Sequence, residues 1–119
     1  MSKIGDTRYR RRKYPRRSIV ALCDIFAPDM GKILGKGCVL NFSRGGLSVV
    51  TSTHISRGRP VGISVDGLHQ KRWIAARVAN VRNVTESVYS CGLKFEGLNL
   101  LRRNFIELRF KKLTRALLA

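Results

Sequence analysis

Two short stretches concentrate side chains able to bind anions and hydrogen-bonding edges. Arg11-Arg12-Lys13-Tyr14-Pro15-Arg16-Arg17 sets Arg12 and Arg16 four residues apart within a run of cations. Asn41-Phe42-Ser43-Arg44-Gly45-Gly46 sets an amide, a hydroxyl and two glycines in what reads as a turn. A guanine edge offers O6 and N7 as adjacent acceptors, which an arginine fork satisfies in pairs, and the guanidinium plane can also stack on a base; lysine does neither well. Phosphodiester charge calls for further cations, which Arg11, Arg17 and Arg44 can supply without reading a base. Asn41 can pair with a guanine edge or fix the turn, and Ser43 adds a hydroxyl. Gly45 and Gly46 would let backbone N–H groups approach where a side chain clashes. Taken singly, each stretch also has a plainer reading, a solvated charge run or an ordinary Asx turn.

The elements that must position these residues can be read from the apolar pattern. Met1 to Lys13 is polar and arginine-rich with little apolar content, which predicts a flexible arm over 1–13. Short segments rich in Val, Ile, Leu and aromatics follow, punctuated by Gly, Pro, Asn and Asp. They predict strands near 18–26, 34–41, 46–52, 60–66, 71–84 and 87–95. In the fifth, Trp73, Ala75, Arg77, Ala79 and Val81 alternate with Ile74, Ala76, Val78, Asn80 and Arg82, so neither face is cleanly polar. Six short antiparallel strands close into a small barrel more readily than they stay an open sheet, because closure removes exposed edges. Asn99 to Leu117 lacks Gly and Pro and is rich in Leu, Arg and Lys, with Gly97 and Asn99 as a start signal, so it reads as a helix. Its apolar residues form two stripes, Leu101, Phe105 and Leu108 on one face and Ile106, Phe110, Leu113 and Leu117 on another. One stripe should cap the barrel; the other either packs as the buried face shifts along the helix or meets a protein partner or second copy.

The order and spacing of the two stretches, with a strand after each, resembles the PilZ family, whose signatures are R-x-x-x-R ahead of a barrel and [D/N]-x-S-x-x-G about twenty to thirty residues later. Arg12 and Arg16 fill the first, and Asn41, Ser43 and Gly46 the second. Leu47, Val49 and Val50 after the glycine, the Ala-Arg-Val-Ala-Asn-Val strand, and Cys91-Gly92-Leu93-Lys94-Phe95 extend the resemblance over about residues 10 to 97. The resemblance implies an all-β fold with a C-terminal helix: an arm over 1–13, a six-stranded antiparallel barrel over 14–98, and a helix over 99–119 packed upon it. It also implies a bacterial receptor for cyclic diguanylate (c-di-GMP), whose arginine arm wraps over ligand held on the Asn41–Gly46 shelf, often an intercalated dimer, to control motility, biofilm or exopolysaccharide export. Arg12, Arg16, Asn41, Ser43 and Gly46 would bind the ligand, joined by Arg11, Arg17, Arg44, Gly45 and Gly92. Arg17 departs from the family, many of whose members carry a small or apolar residue after the second arginine.

The 119 residues are one domain's worth, and 24 Lys and Arg against 7 Asp and Glu leave +17, which demands an anionic partner. The excess sits at both ends: +7 over 1–17 and +5 over 102–115. No run of about eighteen apolar residues occurs, and no apolar stretch follows the basic N-terminus, so the expected location is the cytoplasm. Cys23, Cys38 and Cys91 stand in no ligand pattern and read as buried free thiols. With scattered acids, His54 and His69 in turn-like sequence and no metal pattern, neither an enzyme nor a cofactor is expected. A small basic barrel binding RNA or DNA, or an adaptor that keeps the motifs without the ligand, stays in competition; the aromatics lie mostly in strand or helix patterns and offer no stacking row for bases.

Overall fold

Ile19, Ala21, Cys23, Ile25 and Ala27 alternate with exposed or half-buried neighbours, and this period of two makes Arg17–Ala27 a strand with one face in a core. The computed structural model describes residues 15–69 and 73–118. Five more strands follow: β2 (Lys32–Phe42), β3 (Gly46–Thr51), β4 (Pro60–Val65), β5 (Ile74–Thr85) and β6 (Val88–Phe95), then the helix α1 (Leu100–Leu118), with Arg17–Ala27 as β1. They close as an antiparallel barrel in the order β1-β2-β3-β6-β5-β4, with β4 pairing back onto β1. The predicted six-stranded barrel with a C-terminal helix is thus the observed fold, with strand limits shifted by at most three residues. The predicted arm over 1–13 lies outside the described residues.

The interior is filled by aliphatic side chains from all six strands, among them Ile25, Val39, Val49, Ile63 and Val78, all essentially without exposure. Leu68 and Ile55, from the connections, complete it. Thr51 is a buried polar residue of the described strands, and its hydroxyl donates to the Lys36 carbonyl at 2.7 Å.

The helix starts where Asn99 caps it, its side-chain oxygen accepting from the Arg102 N–H at 2.8 Å. Ile106, Phe110 and Leu113 enter the barrel core, and Phe110 stacks on Phe42 at the end of β2 with ring centroids 4.8 Å apart. Leu101, Phe105 and Leu108 face away from the barrel and are at least half exposed. The capping stripe is therefore the Ile106 face, but Leu117, placed on it by periodicity, is exposed. One thiol also departs from expectation, because Cys38 is only partly buried while Cys23 and Cys91 lie in the core.

Candidate functional site

Asn41 owes its outward direction to an irregularity in β2. Val39 pairs with Val49 and Asn41 with Ser48, so Leu40 is an extra residue in β2. A regular strand that buries Val39 would turn residue 41 inward as well. The extra residue shifts the phase, putting Phe42 into the core and Asn41 on the outside. A second bulge does the same in β5, where Val78 pairs with Leu93 and Asn80 with Gly92, leaving Ala79 unmatched. The buried run Ile74, Ala76, Val78 ends there, and Asn80 emerges on the surface.

These two shifts produce one polar row across four strands. Asn41 of β2 faces Ser48 of β3, Ser48 faces Gly92 of β6, and Gly92 faces Asn80 of β5. Gly92 has no side chain because the Asn80 amide lies over it; a Cβ there would stand 2.8 Å from Asn80 Nδ2. At one end of the row the Arg16 guanidinium donates from Nη1 to Asn41 Oδ1 at 3.1 Å and to Ser48 Oγ at 2.8 Å. Arg16 and Asn41, from the two sequence stretches, thus meet directly.

The turn from β2 to β3 is closed by its own groups. Ser43 N–H donates to the Gly46 carbonyl at 2.8 Å, and the Ser43 hydroxyl accepts from Gly45 N–H at 3.2 Å. The Gly45 carbonyl in turn accepts from Phe95 N–H at 2.9 Å, fastening the turn to β6. Gly46 is expected to give a ligand close access to the backbone; its bare Cα is also required by β6, since a Cβ would run into the Leu93 carbonyl oxygen. Arg44, expected among the phosphate cations, turns to α1 and binds the buried Glu107 carboxylate at 3.2 Å. Arg17 is exposed at the start of β1, opposite Phe42. Arg11 and Arg12 lie outside the described residues. Trp73 packs across Gly62 and against Phe26, ring centroids 5.3 Å apart, and Lys94 lines a separate cleft with Arg77 and Glu96.

Ser48 and Asn80 are site residues that motif reading misses. Asn80 leaves a trace in the sequence: Val78 and Val81 are three apart, a slip out of period two that marks a bulge. Ser48 leaves none, since a serine between Leu47 and Val49 on a strand is ordinary. Among the described residues no cluster of His, Cys, Asp or Glu is arranged to hold a metal, and no helix is long and apolar enough to cross a membrane.

A closed six-stranded barrel, capped by one helix and carrying an arginine docked on an amide and hydroxyl row, defines a small β-barrel domain with a polar face. The PilZ domain family model matches residues 10–110, and the chain belongs to that family. YcgR from Escherichia coli, solved in complex with c-di-GMP, is similar in fold with a TM-score of 0.66 at 17% identity, over 89% of this chain and 47% of that one. The separate PilZ domain of YcgR with c-di-GMP gives 0.67 at 14% identity, over 89% and 92%. The Bacillus subtilis inhibitor of motility, MotI/DgrA, gives 0.63 at 14% identity, over 86% and 51%. The chain thus spans about half the length of full YcgR and of MotI. No curated protein matches it in sequence.

Proposed function

We propose that this domain is a c-di-GMP receptor that binds its ligand on the Asn41–Ser48–Gly92–Asn80 row and does no chemistry on it. The observation that carries this is Arg16 bound to Asn41 and Ser48, which unites the two signatures on one surface. The row offers amide donors and acceptors beside an arginine fork, the complement of a guanine edge. Arg12 supplies the second fork. That YcgR is solved with c-di-GMP on the same fold supports the reading.

Engaging Arg12 repositions residues 1–13, and this change of surface is the signal passed to a motility, biofilm or exopolysaccharide apparatus. The outward face of α1 is the contact for that apparatus. It presents Leu101, Phe105 and Leu108 beside Arg109 and Lys112, and the one acid of the helix, Glu107, is buried on the other side. Two copies would meet with like charge, so the partner is an acidic protein surface rather than a second copy.

Isothermal titration with c-di-GMP tests the ligand. Wild type should bind at micromolar or tighter Kd, guanine-selectively, and Arg16→Ala should abolish measurable heat. Asn80→Ala, a surface change, should cost about 1–3 kcal/mol, the range for one good base contact. Absence of heat from folded wild type would sink the receptor reading. Binding of RNA that falls steeply with salt and ignores Arg16→Ala would favour the nucleic-acid barrel instead.

A further inference from the structure

A cleft of about 490 Å³ separates the start of β1 from the last turns of α1. Arg16, Arg17 and Ser18 line one side, Lys111, Thr114 and Arg115 the other, and Phe42 the floor. Among the described residues, four cations and no carboxylate line it. Lys111 and Arg115 stand four apart on one helical face, a like-charge pairing that is unfavourable alone and becomes favourable once an anion bridges it. The helix dipole accounts for a cation in the last turn, Arg115, but not for cations arriving from two separate elements. Thr114 offers no spare donor, because its hydroxyl already donates to the Phe110 carbonyl at 2.9 Å. The floor is rigid: Phe42 is fully buried and stacked on Phe110.

The cleft is continuous with the polar row, because Arg16 lines one and touches the other. We infer that Lys111 and Arg115 of the C-terminal helix, facing Arg16 and Arg17, hold a phosphodiester of the dinucleotide whose base lies on the row. This rests on the receptor reading above and adds the helix to the binding site. A neutral base edge needs no such charge, whereas a phosphodiester in a partly enclosed cleft gains from each cation.

The test is titration of c-di-GMP into wild type, the double variant Lys111→Gln/Arg115→Gln, and a control, Arg57→Gln/Arg102→Gln, with the same charge change at exposed residues outside the cleft. The inference expects the cleft variant to bind about tenfold more weakly, ~1.4 kcal/mol, with the control within about twofold, beyond which a general field effect would be acting. The difference should shrink as salt rises. Thermal unfolding of each variant accompanies the titrations, and the substituted side chains are polar and outside the core. Equal affinity of cleft variant and wild type overturns the inference and leaves the receptor reading intact, as does an equal loss in the control. No binding by folded wild type overturns both.

Discussion

The Arg44 guanidinium donates from Nε and Nη2 to Glu107 Oε1, at 3.3 and 3.2 Å, and so ties the turn of the second signature to a helix carboxylate that is 7% exposed. Phe42, two residues before Arg44, stacks on Phe110, one turn beyond Glu107. An ion pair and an aromatic stack therefore lock the same turn to the same face of α1, and whatever moves the turn strains the helix contact.

Removing Arg44 should leave the Glu107 carboxylate buried without its cation. Because Arg44 itself is about one-third exposed, the cost is below that of a fully buried pair, about 1–2 kcal/mol for Arg44→Ala. Glu107→Gln should cost less, and the double variant less than the sum of the two. Denaturant unfolding of the four proteins measures this, and strictly additive costs would show that the pair contributes no coupling.

Phe110→Ala should destabilise the domain by about 3–5 kcal/mol, since it opens a cavity under the helix and removes a ring stack. Phe105→Ala on the outward face should cost less than about 1 kcal/mol, its ring lying under the Arg109 guanidinium at 4.8 Å from the centroid. A Phe105 cost equal to that of Phe110 would mean that the outward face is covered in the protein as it exists in solution.

Gly46→Ala should damage the fold before it affects any ligand. The obstacle is the Leu93 backbone carbonyl of a paired strand, which cannot swing aside as a side chain would, so a loss of at least about 2 kcal/mol is expected. Backbone amide spectra of the variant should show shifts spreading along β3 and β6. If only the turn is perturbed and the unfolding midpoint is unchanged, the glycine is there for the ligand.

The three thiols should separate by reactivity and by pH. Burial pushes the Cys23 thiol up to about 12, with Cys38 and Asp24 adding to it, and burial likewise raises Cys91. A disulfide-exchange reagent at pH 8 should therefore titrate Cys38 quickly in the native protein and all three only after unfolding. An unfolded cysteine ionises near its ordinary 9.0 while native Cys23 stays protonated. Stability is thus complete below pH 9 and falls between 9 and 12, by up to ~1.4 kcal/mol per pH unit from this group. Cys23→Ala should flatten that slope; an unchanged slope would place its origin elsewhere.

Much of the fold was legible because period-two alternation and turn residues are local properties. β1 shows this best: Ile19, Ala21, Cys23, Ile25 and Ala27 mark the inner face without reference to any partner. The helix start was legible for the same reason, since Asn99 caps its own chain. The fifth strand was harder, because the bulge at Ala79 moves Asn80 and Val81 to the opposite faces from those that alternation assigns.

The candidate site divides along the same line. Sequence alone determined which residues could serve a guanine dinucleotide, because Arg12, Arg16, Asn41 and Ser43 are defined by type and by spacing within short stretches. It also determined the net charge of +17, which needs no coordinates and favours an anionic partner. Only the tertiary structure decided that Arg16 reaches Ser48, that Asn80 joins Asn41 across Gly92, that Arg44 turns to Glu107, and that Lys111 and Arg115 face Arg16 and Arg17. Each of these joins residues from 12 to 99 positions apart, and such meetings follow from strand register and helix packing, which are set by the whole core at once and by no local pattern.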